Sequence, residues 1–243
     1  MTALPRAILF DLDETLLSFG KRPLILAEVA EEFAAALSPL TPQEVADHLE
    51  AGFREFWSDP EVHKIWRFKL GAARLMIVSG VFQALRPRAS GLTPAAAKTF
   101  AERFHAYREE QARFFPGALE AVDELKRRGV KLALVTNGAG AVQRAKIEKF
   151  DLAGRFDHIQ IEGEAGFGKP EEQAYLHAMA ALGVTAEETW MVGDNLEWEV
   201  AAPQRLGIYA IWHDHLAVGL PKDSAIKPDR IILSIGELTD NLG

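Results

Sequence analysis

An α/β fold is predicted: a parallel sheet with helices on both faces, interrupted by an inserted all-helical block. Three observations predict it. The chain opens on a short apolar run, "RAILF" at residues 6–10, which reads as a buried strand. From Pro116 onward, short apolar runs alternate with helical stretches, the pattern of strand–helix–strand units in a parallel sheet. Between the two, from about Leu24 to Arg113, the pattern is helical almost throughout and no stretch alternates as a strand would.

The elements follow in order. In the insertion, Leu26, Val29, Ala30, Phe33 and Leu37 recur at helical spacing. "TPQE" at 41–44 puts Thr41 at an N-cap, Pro42 at the first helical position and Glu44 three residues after the cap. "TPAA" at 93–96 repeats the Thr-Pro start. Residues 117–128 then read as a helix ended by Gly129, "VKLALVT" as a strand and 139–150 as a helix. "HIQIE" reads as a strand, 171–182 as a helix ended by Gly183, and "TWMVGD" as a strand. Residues 196–206 form a helix closed by Gly207, which Pro203 should kink or shorten. "IYAIW" and "RIIL" are the last strands, before a short terminal helix. The N-terminal strand therefore belongs with the later ones. The expected division is a sheet domain of 1–16 and 114–243 and a helical domain of 17–113.

Composition removes several classes of function. The net charge of -8 argues against a general nucleic-acid binder, which needs clustered Lys and Arg to neutralise phosphates. The absence of cysteine excludes disulfides, thiolate metal sites and a cysteine nucleophile. The N-terminus lacks the apolar core of a signal peptide, and "LMIVSGVFQAL" is far short of the roughly 20 residues that cross a bilayer. A soluble, cytoplasmic protein without a membrane or nucleic-acid partner is the expectation, as a monomer or homodimer.

The polar groups at strand ends carry the chemistry. Asp11 and Asp13 follow the first strand, Thr136, Asn137 and Gly138 follow the second, and Asp194 follows a later one. In a parallel sheet all these ends lie on one edge, where ligands bind. A loop, "GFGKP" at 166–170, can bring Lys169 there. Phosphoryl transfer through an aspartate fits this set. Asp11 and Asp194 can share a hard divalent cation such as Mg²⁺, which takes one or two carboxylates together with phosphate and water oxygens. Asp11 can attack phosphorus, and Asp13 can protonate the leaving oxygen and later deprotonate a water. Thr136 and Lys169 can hold the transferring oxygens, with the amide of Asn137 beside them. "HDH" at 213–215 reads as a loop and not as a metal site, since adjacent positions rarely point at one ion.

With these residues in place, the sequence resembles the haloacid dehalogenase-like (HAD) hydrolases over nearly its whole length. "DLDET" is similar to the family's first motif, "VTNG" to its Ser/Thr motif, "GKP" to its lysine motif and "GDNLEWE" to its acidic motif. All four occur in order, with an insertion where the family carries a helical cap. The resemblance implies a Rossmann-like core, Asp11 as nucleophile, Asp13 as acid/base, Thr136 and Lys169 as phosphate ligands, and Mg²⁺ held by Asp11, the Asp13 carbonyl and Asp194. Glu199 stands where the family commonly has a second Asp. Its longer side chain is expected behind the metal ligands, within reach of a metal-bound water or Lys169. The activity implied is hydrolysis of a small phosphorylated metabolite. A phosphomutase would share every one of these residues. A metal-independent dehalogenase on the same fold would need neither Asp13 nor Asp194.

Overall fold

The computed structural model describes residues 4–240. The chain forms two compact units, one from its start to Ser18 and from Arg113 onward, the other from Phe19–Ala112. The strands of the first unit are β1 (Ala7–Phe10), β2 (Leu17–Ser18), β3 (Arg113–Phe114), β4 (Lys131–Thr136), β5 (His158–Ile161), β6 (Thr189–Gly193), β7 (Tyr209–His213) and β8 (Arg230–Ile232). Six of them make one sheet in the order β5-β4-β1-β6-β7-β8. Every ladder in it is parallel. β1 and β6 are buried along their whole length, as apolar strands with both faces covered must be. Helices Ala118–Arg127, Gly140–Lys149 and Glu172–Leu182 alternate with the strands. Leu9, Val135 and Met191 of the sheet pack with Tyr175, Ala178 and Leu182 of the last of these helices.

The register places the site. Phe10 pairs with Leu134 of β4 and with Val192 of β6. Asp11 therefore emerges between those strands, with Thr136 and Asp194 each two residues beyond Phe10's partners. Neighbouring strands lie about 4.8 Å apart, so these ends converge.

Two expectations need correction. β2 and β3 form an antiparallel ribbon, Leu17 against Phe114 and Ser18 against Arg113, and this keeps Leu17, Ser18 and Arg113 with the sheet-bearing unit. Two-residue strands are too short to show a period in the sequence. The helix expected over 196–206 is composite. Leu196–Ala201 winds as a π-helical turn and Ala202–Arg205 as a short α-helix. Pro203 lies in the first turn of that α-helix, where a missing N–H is tolerated.

The second unit is helical: Arg22–Glu32, Ala34–Leu37, Pro42–Ser58, Pro60–Trp66, Leu70–Leu85 and Pro94–Gln111. Thr41 and Glu44 close a capping box, the Glu44 N–H donating to Thr41 Oγ1 at 3.2 Å and the Thr41 N–H to Glu44 Oε2 at 2.9 Å. Leu26, Val29, Phe53, Phe82, Phe100 and Phe104 are among its core residues. Among the described residues no helix is long and apolar enough to cross a membrane.

The "HDH" segment ends β7. Asp214 caps its own loop, accepting from the N–H groups of Val218 (3.1 Å) and Gly219 (2.7 Å). His213 is 1% exposed, and its ring meets the Phe115 ring at 5.0 Å. Burial, and then the neighbouring His215, push this imidazole down to about 4. The folded state thus binds its proton later than the unfolded chain does. The stability this gives is present above about pH 6.5 and is lost as pH falls towards 4, on the order of 3 kcal/mol in all. Chemical unfolding at about pH 7 and pH 4.5 should show a smaller acid loss in His213→Phe than in the parent. An equal loss in both would remove His213 as its source.

Candidate active site

Asp11 is the first residue past β1, and its N–H extends the ladder to Val192 O at 3.0 Å. Its Oδ1 accepts from Lys169 Nζ at 2.6 Å, and the same ammonium lies 2.8 Å from Glu199 Oε1. Lys169 is fully buried, a position a lysine holds only when paired. Burial opposes its charge, but Asp11 and Glu199 together outweigh burial and hold the ammonium above its ordinary range. Glu199 is pushed up to about 7 by burial, with Lys169 acting against that shift.

The loop carrying Lys169 is fixed by Asn137. The Asn137 Nδ2 donates to the Lys169 carbonyl at 2.6 Å, and the Lys169 N–H donates to Asn137 Oδ1 at 2.9 Å. One N–H and one acceptor site of this amide are used on the lysine's backbone, so Asn137 orients Lys169. Glycines make the approach possible. A Cβ on Gly168 would sit 2.7 Å from Asn137 Oδ1, and one on Gly193 would sit 2.0 Å from Glu199 Cγ. Glu199 also accepts the Asn195 N–H at 2.8 Å through Oε2, which ties it to the start of the π-helical turn. A π-turn beside a ligand site is a recurrent use of that geometry.

Asp13 sits in a tight loop, where the N–H groups of Leu16 and Leu17 both reach Leu12 O, at 3.0 and 2.9 Å. Glu14, next to it, is held at φ 60, an uncommon conformation for a non-glycine residue. Two residues that the sequence reading missed engage the Asp13 carboxylate. Lys146 Nζ lies 2.8 Å from Oδ1 and 2.7 Å from Oδ2, and Gln143 Nε2 donates to Oδ2 at 3.1 Å. Gln143 Nε2 also reaches Thr136 Oγ1 at 2.5 Å. Both residues come from helix Gly140–Lys149, whose buried residues are Gln143, Lys146 and Ile147.

The half-buried Asp194 carboxylate makes no hydrogen bond or ion pair among the described residues. Burial, then the charges of Glu199, Asp11 and Glu14, push it well above its ordinary value. An unpartnered carboxylate among like charges suits a cation. Among the described residues no three His, Asp or Glu side chains converge on one point. Two carboxylates at this sheet edge, Asp11 and Asp194, are oxygen donors of the kind a hard cation such as Mg²⁺ takes. Since the Glu199 carboxylate is taken up by Lys169 and Asn195, Glu199→Ala should lower turnover by roughly 10–100-fold. Asp194→Ala should lose more. Equal losses in saturating Mg²⁺ would make Glu199 a direct ligand.

Comparison with known proteins adds four findings. The family model for haloacid dehalogenase-like hydrolases matches residues 5–207. The phosphoserine phosphatase of Thermus thermophilus is 38% identical over 62% of this chain, and the chain spans only 58% of that relative's length. The ribulose-1,5-bisphosphate 5-phosphatase of Halopiger xanaduensis is 28% identical over 96% of this chain and 98% of its own. Among solved structures, the HAD-hydrolase YfnB of Bacillus subtilis, bound to magnesium, superimposes with a TM-score of 0.71 at 23% identity and covers 98% of both chains. That last likeness concerns the fold.

Proposed function

Because the chain belongs to the haloacid dehalogenase-like hydrolases, we propose that it is a Mg²⁺-dependent phosphatase of small phosphate monoesters, working through an aspartyl-phosphate on Asp11. The observation that carries this reading is the pair of carboxylates after β1 with different surroundings. Asp11 is held by Lys169 through Oδ1 alone, and its Oδ2 accepts no hydrogen bond from a described residue. Asp13 faces Lys146 and Gln143. These different surroundings support Asp11 as the nucleophile and Asp13 as the proton carrier. The relatives support it, since both the Thermus and the Halopiger proteins are phosphatases by name.

In the first step an Asp11 carboxylate oxygen forms a bond to phosphorus and the ester P–O bond breaks. Asp13 gives its proton to the leaving oxygen. In the second step Asp13 takes a proton from water, whose oxygen bonds to phosphorus. The Asp11–phosphorus bond breaks and the carboxylate returns. The Lys169 ammonium and the Thr136 hydroxyl hold the non-bridging oxygens as charge shifts between them. Mg²⁺ held by Asp11, Asp194 and the Asp13 carbonyl would offset the repulsion between carboxylate and phosphate dianion. The helical unit, Phe19–Ala112, is the part left to select the leaving group.

Phosphate release should be measured across phosphorylated sugars, amino acids, short acids and nucleotides, with Mg²⁺ and with excess chelator. Turnover of at least one metabolite, abolished by chelation and restored by Mg²⁺, is the expected result. Full activity in chelator, or no release from any ester, would overturn the reading.

A further inference from the structure

Asp13 is bound more completely than an acid/base residue requires, and the pattern of its partners has a consequence. A carboxylate oxygen offers two lone pairs. Oδ2 accepts from both Lys146 (2.7 Å) and Gln143 (3.1 Å), so both of its lone pairs are used. Oδ1 accepts once, from Lys146 at 2.8 Å, and keeps one lone pair. The amide of Gln143 is fixed by the same chemistry. A carboxylate only accepts, so Gln143 must present its NH₂ to Asp13. That nitrogen also lies 2.5 Å from Thr136 Oγ1, so its second N–H is donated there. The Thr136 hydroxyl accepts from Gln143 and is left to donate its own proton into the site.

We propose that Gln143 and Lys146 are positioning residues that act on both halves of the reaction: they make Asp13 Oδ1 the atom that carries the proton, and they make Thr136 a donor to the phosphoryl oxygens. The inference rests on the reading of Asp13 as acid/base. Both residues act through Asp13 and Thr136, the groups they bond. Lys146 and Gln143 fix the carboxylate about its side-chain torsions, so the proton meets the leaving oxygen without a search. Gln143 links this carboxylate to the phosphate-binding hydroxyl through one planar amide. Gln143 and Lys146 are both buried, on a helix whose exposed residues include Arg144 and Lys149, and so are placed for this task and not for solubility.

The leaving group provides the test. An alkyl phosphate needs its leaving oxygen protonated, whereas a nitrophenyl phosphate leaves largely without help. The ratio of alkyl to nitrophenyl kcat/KM reports only formation of the phosphoenzyme, so it reads the acid step and does not respond to a general loss of fold. It should be measured for the parent, Asp13→Asn, Lys146→Met, Lys146→Arg and Gln143→Leu, with circular dichroism as a control on folding. If Lys146→Met does not fold, Lys146→Gln carries the same comparison. Asp13→Asn should lower the ratio by about 100-fold or more. Lys146→Met should lower it by roughly 10–100-fold, and Lys146→Arg should recover most of that. Gln143→Leu should lower the ratio and also raise KM for both esters, because Thr136 loses the partner that makes it a donor. If Asp13→Asn lowers the ratio while Lys146→Met and Gln143→Leu leave it at the parent value, the positioning role is wrong and the role of Asp13 stands. If Asp13→Asn itself leaves the ratio unchanged, the acid/base reading fails and takes this inference with it.

Discussion

Asp11→Asn is expected to fold as the parent does and to lose phosphate-ester turnover by at least about 10⁴-fold. The substitution is nearly isosteric. On the proposed reading it removes the group that bonds to phosphorus, and two of the other site carboxylates are already engaged. Glu199 is committed to Lys169 and Asn195, and Asp13 to Lys146 and Gln143. Stability should hold or rise. Asp11, Glu199 and Asp194 crowd one ammonium, and Asp194 pairs with no described residue. Losing one carboxylate relieves that excess, and Lys169 keeps Glu199. Phosphate release and thermal melting of the purified variant check both halves. Turnover near the parent's would remove Asp11 as nucleophile.

The largest effect on stability is expected from Lys169→Met. Lys169 is the buried cation that pairs with both Asp11 and Glu199, and its removal leaves carboxylates in the interior without compensation. Breaking such an arrangement costs about 3–5 kcal/mol. The cost should depend on pH in a defined direction. Burial already raises Glu199 to about 7, and the opposing charge of Lys169 is gone in the variant. A carboxyl raised in the folded state gives stability at low pH that is lost as pH rises through its folded value. The deficit against the parent should therefore be largest near pH 8 and smaller near pH 5. Adding Glu199→Gln to Lys169→Met should recover stability but not activity. Urea unfolding of the three proteins in chelator at both pH values measures this. A deficit that does not vary with pH, or that Glu199→Gln fails to reduce, would mean the lysine acts through packing alone.

Much of this site was legible in the sequence, and the reasons are local. Asp11, Thr136 and Asp194 lie at ends of apolar runs, and a parallel sheet brings such ends together whatever the helices do. Lys169 was legible because Gly168 and Pro170 mark a loop next to it. Gln143 and Lys146 were not. "GAVQRAKIEK" is a polar helix, and its polar residues read as solvated. The available signal was spacing: Gln143, Lys146 and Ile147 sit at i, i+3 and i+4 and share one face. A polar pair on the face that holds the only large aliphatic of that stripe marks a buried network. The task of Asn137 was hidden for another reason. An amide after a strand can bind ligand or backbone, and only the path of the loop from Gly166 to Pro170 decides between them. The β2–β3 ribbon and the π-turn lay beyond reach as well, the first for want of length and the second because its first turn looks the same as an α-helix in sequence.

The central claim is that phosphorus passes through Asp11. The most direct measurement is acid quench of the Asp13→Asn variant during reaction with nitrophenyl phosphate in Mg²⁺, followed by peptide mapping. This leaving group departs without an acid, while hydrolysis of the intermediate lacks its base, so the phosphoenzyme should accumulate. The expected result is a single phosphoryl group per chain, on the peptide containing Asp11, lost on treatment with hydroxylamine as an acyl phosphate is. Nitrophenol release with no phosphorylated peptide, or a phosphoryl group on any other residue, would contradict it.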